Sequence, residues 1–126
     1  MLKKIALISA LIFTLSACSI TDIPSFYDDN ESAGVIDVVF AVKDLNCESP
    51  FAKNQVEKVY REYLWLEILV QLKGSDDIGE LLKPFERTLI GLYDKRDNMT
   101  VKYCELKRTS LLKQSEMVAS AILGRY

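Results

Sequence analysis

Apolar residues at spacings of three and four run through most of this 126-residue chain, and that period belongs to helices packed side by side. Val56, Val59, Tyr60, Tyr63, Leu66 and Val70 make one stripe of a long helix. Ser49 and Pro50 are expected to open it as N-cap and first helical residue, and Gly74 to stop it after Lys73. Trp65, Ile68, Leu69 and Leu72 add a second stripe, so the C-terminal half of this helix is apolar nearly all round. The ordinary reading is a central helix packed on several sides; the functional reading is a face left for a partner. Ser75 or Asp77 opens the next helix, where Asp77 and Glu80 have the spacing of a capping box. Its inward positions are Ile78, Leu81, Leu82, Phe85, Leu89, Leu92 and Tyr93, and Pro84 is expected to kink or divide it. After a charged turn at Asp94 to Asn98, a last helix runs from Met99 to Leu123. Its seam is Val101, Cys104, Arg108, Leu111, Ser115, Val118 and Ile122, interrupted by Arg108 and Ser115 and widened by Leu112 and Ala119.

The stretch from Ser32 to Asn46 reads two ways. Val35, Val38, Val39, Val42 and Leu45 have helical spacing, while the β-branched run from Val35 to Phe40 has strand propensity. Helix is favoured, because the stripe persists to Leu45 and no hairpin partner is visible. The expected fold class is all-α: a small up-down bundle of three to four helices occupying residues 32–126.

Upstream of these runs stand Lys3 and Lys4, an apolar stretch from Ile5 to Thr14, and then Leu15-Ser16-Ala17-Cys18. The apolar stretch is too short for a bilayer core, which takes ~20 residues of helix. Residues 1–17 therefore read as a signal peptide that is removed. Leu15-Ser16-Ala17-Cys18 resembles the lipobox of bacterial lipoproteins, with an ordinary secretory signal as the alternative. The resemblance implies a diacylglycerol thioether on Cys18, an acylated Cys18 amino group of the palmitate kind, and membrane attachment through these lipids. Ser19, where an Asp would mark retention, implies an outer-membrane anchor facing the periplasm. Residues 18–31, with Pro24 and the polar cluster Asp28-Asp29-Asn30-Glu31, then read as a lipidated tether.

Removal of 17 residues from 126 leaves 109, enough for one modest domain. Lys3 and Lys4 leave with them, so the 16 basic residues fall to 14 against 18 acids, a net charge of −4 that gives no nucleic-acid footprint. Acids concentrate between residues 22 and 48, whereas Lys95, Arg96, Lys102, Lys107, Arg108 and Lys113 make residues 95–113 basic. Attraction between the two regions is the simplest expectation. With Cys18 lipidated, Cys47 and Cys104 are the remaining pair, in a compartment where disulfides persist. In an up-down-up-down bundle the junction of the first two helices, where Cys47 sits, lies at the same end as the start of the fourth, where Cys104 sits.

The chain contains no histidine, which removes the usual nucleophilic triads and most transition-metal sites. Its five glycines are scattered and form no phosphate loop. No catalytic residue, cofactor or metal is expected, and the expected activity is binding. The order lipobox, polar tether, helix ending at Cys47, two helices, and a final helix with Cys104 near its start resembles the layout of helical pilotin lipoproteins of type II secretion. That resemblance implies a non-catalytic adaptor with a groove for an amphipathic partner helix. Tyr60, Tyr63 and Trp65 are candidate anchors in such a groove, or else core residues. Two alternatives are a phage- or plasmid-encoded lipoprotein that blocks receptors or excludes superinfecting DNA, and an envelope structural lipoprotein whose basic helix lies on anionic lipid or glycan.

Overall fold

A computed structural model describes residues 28–124, which form four helices: α1 (Asp29–Asp44), α2 (Ala52–Lys73), α3 (Asp76–Asp94) and α4 (Val101–Leu123). Residues 1–27, which include the expected signal peptide and most of the expected tether, lie outside the described residues. The fold is a small all-α bundle with one disulfide.

Helix α1 begins earlier than its sequence suggests. The Asp28 carboxylate accepts from the amides of Asn30 (2.7 Å) and Glu31 (3.0 Å), so residues 28–31 are a cap and a first helical turn and not part of a tether. Acids near a helix N-terminus favour that start through the exposed N–H groups and the helix dipole. The valine-rich run stays helical because Val35, Val38 and Val42 fall on one face and are all buried. Burial of that face outweighs the strand propensity of the branched side chains.

Glu31 is only 1% exposed, and its carboxylate accepts from the Ser75 hydroxyl at 2.6 Å and faces the Lys73 ammonium at 3.8 Å. The start of α1 is thereby tied to the corner between α2 and α3. Glu31→Ala leaves Ser75 without this buried partner, and a loss of about 1–3 kcal/mol is expected in urea unfolding. An unchanged midpoint would show that the tie adds nothing to stability.

Helix α2 starts at Ala52, later than the Ser49-Pro50 pair suggests. Those two residues form a turn, in which the Ser49 hydroxyl accepts from the Phe51 amide and the Ser49 carbonyl accepts from the Ala52 amide. At the other end Gly74 has φ +73°, and the amides of Gly74 and Ser75 donate to the carbonyls of Gln71 and Val70. This left-handed ending favours glycine, because an L side chain is strained at that φ.

Helix α3 runs undivided through Pro84, so of the expected kink or division the division does not occur. Ile78 and Leu82 before the proline, and Phe85, Leu89 and Leu92 after it, are all buried. Packing on both sides of Pro84 offsets the roughly 3 kcal/mol that an interior proline costs a helix. In α4, Thr100 is the N-cap, accepting from the Tyr103 amide.

The helices form a square ring. α1 and α3 each pack against α2 and α4, and across the diagonals no Cα atoms of the described residues come within 8 Å of each other. Neighbours run antiparallel: Asn46 at the end of α1 donates to Gln55 early in α2, whereas Gly34 near the start of α1 meets Leu66 and Leu69. Cys47, in the α1–α2 junction, is bonded to Cys104 in the first turn of α4, with 5.7 Å between the Cα atoms. The interruptions in the α4 seam have local partners. Arg108 crosses to α1 and donates to the Lys43 carbonyl at 2.9 Å, occupying an acceptor at that helix's C-terminus, and the Ser115 hydroxyl donates to the Leu112 carbonyl.

Candidate functional site

The three aromatic side chains singled out in α2 have three different environments. Tyr63 is 2% exposed and packs its ring 5.7 Å from that of Phe85. Burial, reinforced by Glu67 and Glu86, raises its phenol pKa so far that it stays protonated through the ordinary range. It belongs to the core and not to the exposed face a partner would meet, because position 63 falls on the inward face with Val59, Leu66 and Val70. Tyr60 is half-buried and stacked on Tyr93, with centroids 4.3 Å apart. The Arg96 guanidinium lies 3.8 Å from the Tyr93 ring and donates to Glu57 at 3.1 Å, so this stack joins α2 to α3 near the disulfide end.

Trp65 is 64% exposed. Leu64, Ile68 and Leu72 are exposed beside it, Leu72 at 81%. The second stripe of α2 therefore faces outward, which corrects the reading of α2 as a helix packed on several sides. In a square ring each helix has two neighbours, and the first stripe already meets both. Leu69 alone turns back, into the space left by Gly34: a Cβ on Gly34 would lie 3.3 Å from Leu66 Cδ1 and 3.5 Å from Leu69 Cδ1. Helical phase separates Trp65 from Tyr63, since residues two apart differ by ~200° around the axis.

Trp65 stands at the rim of a cleft of about 370 Å³ between α1 and α2, lined by Asn30, Ala33, Gly34, Asp37, Glu62, Trp65 and Leu69. The floor is apolar and closely approached because residues 33 and 34 are small; two carboxylates edge it. A second cleft of about 430 Å³, between α2 and α3, includes Glu67, Asp76, Glu80 and Glu86, with Lys83 paired to Glu80. It is the more acidic of the two.

Among the described residues the basic segment 95–113 forms no close ion pair with the acids of residues 28–48. Among the described residues Arg96 binds Glu57 of α2, Lys53 of α2 binds Asp97, and Arg108 reaches α1 only through a carbonyl. Lys95 and Lys107 lie 5.0 and 5.5 Å from the centre of the Tyr103 ring. Among the described residues no three His, Cys, Asp or Glu side chains converge in a metal-binding group, and no helix is long and apolar enough to cross a membrane. Compared with protein-family models, with curated proteins and with solved structures, the chain matches none of them.

Proposed function

We propose that this protein is a lipoprotein held by acyl groups on Cys18 at the periplasmic face of the outer membrane, where it acts as a non-catalytic, pilotin-like adaptor. The observation that carries the reading is the solvent-exposed Trp65 at the rim of the α1–α2 cleft. An exposed large aromatic beside an apolar cleft is the usual anchor of a helix-in-groove contact. Full burial of each large apolar side chain contributes about 1.5–3 kcal/mol, so a partner that covers Trp65 and reaches Leu69 gains several kcal/mol before ordering costs. Mass spectrometry of the protein from envelope membranes tests the lipid, with a diacylglycerol and an acyl group expected on Cys18. Affinity capture from envelope extracts tests the adaptor role: a secretin subunit recovered with the natural chain and lost with Trp65→Ala supports it. Capture without secretin, together with normal secretin localisation in a deletion strain, sinks the pilotin-like reading.

A further inference from the structure

Asp28 leads into α1 level with the end of α2, because Glu31 reaches the Lys73 ammonium at 3.8 Å while Gly34 lies against Leu66 and Leu69. The chain upstream of Asp28 therefore enters at the end of the bundle where α2 ends. The ten residues from Cys18 to Tyr27 reach at most ~33 Å when extended, about the length of α2 itself. A lipid on Cys18 keeps this end of the bundle within one helix length of the bilayer and raises the local concentration of bilayer to ~mM.

One surface that reaches this end is the outer ridge of α2, with Leu64, Trp65, Ile68 and Leu72 exposed. Lys58 and Arg61 are exposed one to two turns before it and form no ion pair among the described residues. The acids of this part of the helix turn aside: Glu62 lines the cleft toward α1 and Glu67 the cleft toward α3. A tryptophan and three aliphatic side chains flanked by cations are the chemistry of an interfacial helix face, with Trp at headgroup level and Arg or Lys reaching phosphates.

We infer that the outer ridge of α2 (Leu64, Trp65, Ile68, Leu72, flanked by Lys58 and Arg61) rests in the headgroup region of the bilayer that holds the lipid anchor. This rests on the reading of Cys18 as lipidated. The ridge meets lipid until a partner helix enters the α1–α2 cleft and takes Trp65 from the headgroups, so partner and bilayer compete for that side chain.

Two features of the chain make the test clean: Trp65 is its single tryptophan, and Cys18 is the one cysteine outside the Cys47–Cys104 bond. The chain from Cys18 onward, coupled through that thiol to maleimide-bearing phosphatidylcholine vesicles, is expected to show blue-shifted Trp65 emission and quenching by brominated acyl chains. Ile68→Ser with Leu72→Ser, at exposed positions, is expected to lower the docked-to-free ratio at least about tenfold. Phe40→Ser, which removes an exposed aromatic from α1, leaves the ratio unchanged. Emission on vesicles equal to that of the uncoupled chain, or insensitive to brominated lipid, overturns the inference. So does a Trp65 already shielded in solution, by residues 19–27 if the shielding is independent of concentration and by a second copy if it is not. Coupling supplies the anchor whether or not cells acylate Cys18. A native protein without lipid therefore counts against the lipoprotein reading alone, and an undocked Trp65 against the ridge.

Discussion

Opening the Cys47–Cys104 bond is expected to lower the unfolding free energy by about 4 kcal/mol, the chain-entropy value for a loop of this size. The bonded residues are 57 apart in sequence, so the bond removes many conformations from the unfolded chain while it joins positions already neighbouring in the ring. For a domain of ordinary stability, ~5–15 kcal/mol, this is the difference between a robust fold and a marginal one. The measurement is urea unfolding with and without reductant, followed by helical circular dichroism. Reduction in place is cleaner than substitution. Cys104 is fully buried, and Cys104→Ala would add a cavity to the loss of the bond. The reduced chain is also expected to show a larger denaturant dependence, because its unfolded ensemble expands. A loss below about 1 kcal/mol would mean that the unfolded chain already keeps these ends close.

Phe85→Ala is expected to cost about 3–5 kcal/mol. The ring is 0% exposed and lies against Tyr63 across the α2–α3 interface. Its position immediately after Pro84 adds to its weight: the proline leaves α3 one hydrogen bond short there, and core packing on either side keeps the helix continuous. Phe85→Leu, which keeps most of the volume, is expected to cost less than half as much. Comparable losses for the two substitutions would indicate that ring shape, and not buried volume, holds this layer. The check is the unfolding midpoint of both variants with the disulfide intact.

Helix number and order were legible because a stripe repeating every three or four residues survives any choice of neighbour. The disulfide was legible for a different reason: an antiparallel ring places Cys47 and Cys104 at one end. Helix starts were less so. Ser49-Pro50 fits an N-cap but closes a turn, and Asp28 to Glu31 has the composition of a tether but caps and begins α1. What no local pattern contains is the 44-residue jump from Glu31 to Ser75, which turns an apparent solvating acid into a buried acceptor. The destination of the second α2 stripe was likewise unreadable, since it depends on how many neighbours α2 has. Once the ring gives it two, Trp65 is outside and Tyr63 inside.

The two ends of α1 also determine how the domain answers a pull. Tension arriving along the chain upstream of Asp28 enters at a helix whose first turn holds the α2–α3 corner through Glu31 and whose far junction is covalently fastened to α4 through Cys47. Detaching α1 from that side first breaks the buried Ser75–Glu31 hydrogen bond, and the Cys47–Cys104 bond then still holds its far end to α4.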